Sequence, residues 1–165
     1  MTAAQKEVMK GNDKIIDTLN ALLADELTAI SEYMVHSEMC SNWGFDRLHK
    51  AAEKRAIDEM KHAEKLIGRI LFLEGTPVVH RLNPMRIGPD VAAQLKNDHA
   101  AEAGAVKAYN HAIQLASELS DNGTRELFED ILKDEEAHID WLEAQSDQIK
   151  QMGIQIYLAQ QTNEK

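Results

Sequence analysis

Glu59-Met60-Lys61-His62 and Glu135-Glu136-Ala137-His138 are the two stretches on which the reading of this chain turns. In a helix, three residues rotate the side chain by about 300°, so each Glu and His stand about 60° apart on one face, one turn from each other. That spacing lets one carboxylate and one imidazole hold a single ion. A lone pair of this kind is a weak sign, because most such pairs are solvated surface residues. Two further glutamates sharpen it: Glu26 lies 33 positions before Glu59, and Glu102 lies 33 positions before Glu135. The midpoint of the first interval falls between Asn42 and Trp43, and that of the second between Glu118 and Leu119. In an antiparallel hairpin, residues equidistant from the turn share a height. Each interval then sets one Glu opposite one Glu-x-x-His. The chain reads as two halves, 76 positions apart, carrying the same trio.

The surrounding sequence supplies the helices this needs. All three prolines, Pro77, Pro84 and Pro89, fall within residues 75–90, leaving the rest free of helix breakers of that kind. Other breakers are sparse: Asn42-Trp43-Gly44 and Ser120-Asp121-Asn122-Gly123. Apolar spacing at Ile15, Leu19, Leu22 and Leu23, then at Leu66, Ile70 and Leu73, is helical. The expected helices cover 13–43, 46–74, 90–119 and 124–151, with a short fifth over 154–161. Residues 1–8 read as a flexible extension and 9–165 as one domain. The first and third connections are short, so each joins an antiparallel pair. The connection over 75–90 is long. Its sixteen or so residues reach about 50 Å when extended, and a helix of about 26 residues spans only about 40 Å. A return crossover is feasible, which makes the second and third helices parallel. The expected fold is all-α, a four-helix bundle of ferritin-like topology with one long crossover.

Glu26 sits among Leu22, Leu23, Leu27 and Ile30. A carboxylate turned toward a core is costly unless paired or metal-bound. Four carboxylates and two imidazoles meeting in mid-bundle would need cations. A known pattern matches: dinuclear iron and manganese bundles take a Glu from each of two helices and Glu-x-x-His from each of the other two. Glu and His ligands without Cys favour iron or manganese over structural zinc or calcium, and iron is the expected metal. Glu59 and Glu135 are expected to bridge two ions. Glu26 with His62 completes one site, and Glu102 with His138 the other. Asp98, one turn before Glu102, either orients a ligand histidine or serves an ordinary helix-surface role.

Composition sets the outer bounds. With 165 residues the chain suits a single domain. Its 18 Lys and Arg face 28 Asp and Glu, a net charge of -10, which argues against nucleic acid as a partner. Cys40 is the only cysteine, so neither an intrachain disulfide nor a thiolate cluster is available. No apolar run reaches transmembrane length and no secretory signal is visible, so the expectation is a cytoplasmic protein with no membrane partner.

From Met9-Lys10-Gly11 to near Tyr157 the sequence resembles the bacterioferritin family. The resemblance is carried by Asn42-Trp43-Gly44, Ile57-Asp58-Glu59-Met60-Lys61-His62-Ala63, Ile70-Leu71-Phe72-Leu73-Glu74-Gly75 and Asp134-Glu135-Glu136-Ala137-His138-Ile139-Asp140-Trp141. It implies a hollow 24-subunit shell, a di-iron ferroxidase centre in each bundle and a ferric mineral inside. It implies haem b at two-fold interfaces, ligated by a methionine from each subunit, and a ferredoxin-type electron donor. Met60 matches that methionine. Lying about 100° beyond Glu59 and about 200° from His62, it is expected to point out of the bundle; packing at a subunit contact is the plainer alternative. Tyr33 matches a tyrosine near the di-iron site, two turns from Glu26, and Tyr109 stands in the same relation to Glu102. Either is a candidate electron donor, with packing the plainer role for Tyr109; Trp141 is a third candidate and equally a core residue. Many members carry an acidic residue where Arg55 stands, and Lys54 replaces residues that in some members help pass iron inward, while Asp58 is kept.

The expected activity is oxidation of Fe(II) by dioxygen or peroxide, with storage of the ferric product and haem assisting its release. One rival is a non-storage peroxidase or oxygenase using a di-iron or di-manganese centre on the same bundle. The other is a non-catalytic helical binding protein in which the trios are accidental.

Overall fold

The computed structural model describes residues 10–162, so the expected extension over 1–8 lies outside the described residues. Four long helices, α1 (Asp13–Asn42), α2 (Asp46–Phe72), α3 (Val91–Glu118) and α4 (Asn122–Met152), are followed by a short α5 (Ile154–Ala159). Helix α1 packs mainly on α2, and α3 on α4. The fold is the all-α four-helix bundle with a fifth helix that the sequence leads one to expect. Its helix ends agree with that reading to within two or three residues.

Local chemistry explains the boundaries. The Asn12 side chain accepts from the backbone N–H of Lys14 at the start of α1, and Asp90 accepts from that of Ala93 at the start of α3. Asp121 does the same for Thr124, which starts α4 at Asn122 rather than at 124 and turns Asn122-Gly123 into its first turn. Each cap is worth about 1 kcal/mol. Gly44 and Gly153 sit at φ 80°, where a side chain is disfavoured, and mark the α1–α2 turn and the end of α4.

The crossover is laced to α1 along its length. Asn20 donates to the carbonyl of Thr76 and accepts from the N–H of Val78. Further on, Thr28 accepts from the N–H of Asn83, Glu32 from that of Arg86 and His36 Nε2 from that of Gly88. The partners advance from residue 20 to 36 of α1 as the crossover advances, so the strap ascends beside α1 and delivers α3 parallel to α2. These polar contacts answer the question a long irregular segment poses, namely where its backbone groups find partners. Gly88 has no room for a side chain: a Cβ there would lie 2.3 Å from the backbone nitrogen of Gln94.

The apolar core is split in two. One cluster gathers Ile15, Leu19, Leu23, Leu66, Ile70, Phe128 and Ile131. The other gathers Cys40, Leu48, Val91, Leu95, Leu142 and Tyr157, with α5 held there by a hydrogen bond from Tyr157 to Gln145. Between them the bundle interior is polar, and the candidate site lies in that gap. No described helix is long and apolar enough to cross a membrane.

Candidate metal centre

Glu26, Glu59, His62, Glu102, Glu135 and His138 are all buried, although they come from four different helices. They form two groups that share two members. Glu26, Glu59, His62 and Glu135 offer ligand atoms within 4.8 Å of one another, and so do Glu59, Glu102, Glu135 and His138. Each hairpin levels its own Glu with its Glu-x-x-His, and the parallel placement of α2 and α3 brings the hairpins to one level.

The contacts are paired as bridging would require. His62 Nδ1 lies 2.9 Å from Glu59 Oε2 and 3.0 Å from Glu135 Oε1. His138 Nδ1 faces the other oxygen of each carboxylate, 3.3 Å from Glu59 Oε1 and 3.9 Å from Glu135 Oε2. Glu26 stands 3.7 Å from His62 Nδ1, and Glu102 stands 3.6 Å from His138 Nδ1. The two imidazoles are stacked with centroids 6.2 Å apart. Glu59 Oε1, Glu135 Oε1 and His138 Nδ1 are buried and make no well-aligned hydrogen bond, only the imidazole–carboxylate contacts just given. Leaving such groups unsatisfied costs about 1–3 kcal/mol each, more when charged. A pair of divalent cations satisfies all three and neutralises the four carboxylates, so this donor set fits two ions.

Protonation in the metal-free protein follows from crowding. Burial, and then the neighbouring carboxylates, hold Glu59 and Glu102 well above the usual carboxylate range. Burial likewise raises Glu135, despite hydrogen bonds from Glu102 and His62 that oppose it. Burial would lower the pKa of His62, but hydrogen bonds to Glu135, Glu26 and Glu59 outweigh it and raise the pKa strongly. Both shifts have the same sign for stability. A carboxyl or imidazole whose folded pKa exceeds its unfolded value stabilises below the unfolded value and loses that contribution as pH rises through the folded one. The metal-free protein is therefore expected to melt at a lower temperature at about pH 8.5 than at about pH 5.5, and saturating divalent metal should reverse the trend. A metal-free melting temperature that rises over that interval would contradict this arrangement.

Tyr33 and Tyr109 reach the same centre from opposite sides. The Tyr33 hydroxyl donates to Glu102 and the Tyr109 hydroxyl to Glu26, each gripping the terminal carboxylate of the other hairpin. Tyr109 thus does more than pack. Burial keeps both phenols protonated, with pKa values well above the ordinary one. Trp141 is partly buried, packed against the core cluster that contains Cys40. Met60 is 45% exposed, pointing out of the bundle as its helical phase requires.

Asp98 orients a different histidine from those expected. Its carboxylate accepts from His36 Nδ1 at 2.8 Å. His36 Nε2 accepts from Gly88, so its proton is assigned to Nδ1 and Asp98 braces the crossover. The carboxylate that orients a ligand-set histidine is Asp134, 3.1 Å from His62 Nε2. A signal for it was present: an Asp precedes the Glu in both Glu-x-x-His stretches, Asp58 and Asp134. Arg55 is partly buried against the centre, with Nη1 3.6 Å from Glu102 Oε1 and its guanidinium over the Tyr33 ring. Lys54 instead pairs with Asp58 at the surface.

A cavity of about 360 Å³ opens between α1, α3 and the crossover. It is lined by exposed Asp25, Asn83 and Arg86 and by Glu26, Glu59 and Glu102 of the buried cage.

The ferritin-like domain family matches residues 16–152. Bacterioferritin of Rhodobacter capsulatus is 43% identical over 147 residues, covering 89% of this chain and 91% of that protein. Bacterioferritin of Mycobacterium avium is 41% identical over 152 residues, 92% of this chain and 96% of that one. The relative from Brucella melitensis, also a bacterioferritin, is 40% identical over 149 residues, 90% and 92% of the two chains. With a buried Glu/His cage on four helices, and likeness of this extent along nearly its whole length, the chain belongs to the bacterioferritin family.

Proposed function

We propose that this protein stores iron, oxidising Fe(II) at the six-residue cage and retaining the Fe(III) product inside a hollow assembly of its own copies. The observation that carries the reading is the double use of Glu59 and Glu135, whose two oxygens face His62 on one side and His138 on the other. Two ions held by these shared carboxylates are placed to deliver two electrons to one small oxidant. With hydrogen peroxide, two Fe(II) and two protons give two Fe(III) and two waters. With dioxygen, two Fe(II) and two protons give two Fe(III) and hydrogen peroxide.

Fe(II) is the substrate. The cavity beside Asp25 and Glu26 offers it a route to the cage, lined with carboxylates that attract cations. Glu26 with His62 takes one ion, Glu102 with His138 takes the other, and Asp134 fixes the His62 ring so that Nδ1 faces the metal. Iron storage requires many copies closing a cavity, and the proposed assembly is the 24-subunit shell of the family. Exposed Ile57 and Met60, three residues apart on α2, form an apolar face suited to a second copy. Met60 side chains from two copies are proposed to hold haem b, which supplies electron transfer when bound.

Tyr33 is proposed as an auxiliary electron donor, its hydroxyl proton passing to Glu102 as the electron leaves. Tyr33→Phe is expected to slow Fe(II) oxidation several-fold while divalent metal binding persists; unchanged oxidation kinetics would reject that role. The storage reading itself is tested by native mass of the purified protein and by Fe(II) loading in air. A large closed oligomer retaining many iron atoms per chain is expected. A monomer or dimer that turns over another substrate and retains no iron would overturn it.

A further inference from the structure

We propose that the two subsites of this centre differ in affinity for a divalent ion, the Glu26–His62 subsite loading first and the Glu102–His138 subsite second, because Arg55 lines only the second. The inference rests on the proposed function and deepens it.

The two halves of the chain form an internal repeat. Displacement by 76 positions superposes Glu26 on Glu102, Glu59 on Glu135 and His62 on His138. The tyrosines obey the same relation, and so do their bonds: Tyr33 donates to Glu102 and Tyr109 to Glu26. Against that symmetry, two differences stand out. Arg55 corresponds to Ile131, a fully buried core residue. The Glu102 subsite therefore has a guanidinium 3.6 Å from a ligand oxygen, with a side chain only 13% exposed. The equivalent position beside Glu26 carries an aliphatic side chain. The second difference is the pair Asp58 and Asp134. Asp134 holds His62 Nε2 at 3.1 Å. Its counterpart Asp58 is taken by Lys54, and it makes no hydrogen bond to His138 among the described residues.

Both differences act in one direction. A carboxylate behind the imidazole fixes the ring and makes its free nitrogen a better ligand, so Asp134 favours the Glu26–His62 subsite. A fixed positive charge beside Glu102 repels an incoming cation and competes for the carboxylate that must bind it. Arginine does not shed its proton, so this penalty persists at any ordinary pH. Two ions sharing Glu59 and Glu135 also repel each other, and this alone separates the binding steps. Arg55 sets their order and widens the gap.

The test uses metal-free full-length protein, titrated without air with Co(II) alone and followed by calorimetry and by its visible bands. Two steps at least about tenfold apart are expected. Glu26→Ala should remove the tight step and Glu102→Ala the weak one. Arg55→Leu, which installs an aliphatic side chain as at Ile131, should tighten the second step about tenfold and leave the first nearly unchanged. Arg55→Lys, which keeps the charge, should preserve the gap. Loss of the tight step in Glu102→Ala would overturn the inference, as would an Arg55→Leu titration identical to that of the parent. Should Arg55→Leu not fold, the two glutamate variants decide the order by themselves. Two steps of equal affinity would sink this inference and leave the dinuclear cage standing, whereas failure of Co(II) to enter the cage would sink both.

Discussion

Glu59→Ala or Glu135→Ala is expected to cut the initial rate of Fe(II) oxidation by more than about 100-fold. Losing a residue that merely orients a metal ligand costs about 10–100-fold, and each of these carboxylates serves both ions at once. Glu59 presents one oxygen to each histidine, and Glu135 does the same from α4. Removing either leaves no shared ligand on that side and uncouples the two electrons that the oxidant must receive together. Stability should move the other way in the metal-free protein. Both carboxylates are raised by burial and crowding, so deleting one relieves a cost. Stopped-flow absorbance of ferric product, with circular dichroism on the same samples, separates the two effects. A variant that folds and oxidises Fe(II) at the parent rate would remove Glu59 or Glu135 from the chemistry.

Met60→Leu is expected to abolish haem binding, seen as loss of the intense haem absorption band from the purified protein. The thioether sulfur is the only atom at that position able to ligate iron, and leucine keeps the size and apolar character of the side chain. Met60 is 45% exposed and stands on the outer face of α2, one residue beyond Glu59, which points inward. The change should therefore leave Co(II) binding at the cage as it was. Reductive release of stored iron should slow, because the proposed electron path into the shell is lost. A Met60→Leu protein that retains the parent's haem spectrum would show that the ligand lies elsewhere, and Met60 would then be an interface residue alone.

The large-scale features were legible because they depend on spacing. Three prolines confined to 75–90 left four uninterrupted helices, and two equal intervals of 33 positions set the carboxylates level with the Glu-x-x-His stretches. What the spacing could not convey is which partner a polar side chain meets across the bundle. Asp98 shares a face with Glu102, so it was a reasonable candidate to orient a ligand histidine. The crossover, however, brings Gly88 to His36, and His36 claims Asp98. Asp134 escaped notice because residues adjacent in sequence usually face different ways on a helix; it reaches His62 from the neighbouring hairpin. Tyr109 looked like packing, since a hydroxyl's partner 83 positions away is invisible in periodicity. In the sequence Arg55 stands out only as a departure from the family pattern. Its penetration to Glu102 depends on the room left by small neighbours such as Ala51 and Ala52, which line the same small cavity.

The proposed chemistry depends on a pair of ions held between Glu59 and Glu135. Crystals soaked in Co(II) or Fe(II) without air, measured on either side of the metal absorption edge, address it directly. Two anomalous peaks are predicted in each subunit. One should lie among Glu26, His62 and the two shared carboxylates, and the other among Glu102, His138 and the same two. A cage without either peak at saturating metal, with ions bound only at surface carboxylates, would contradict it.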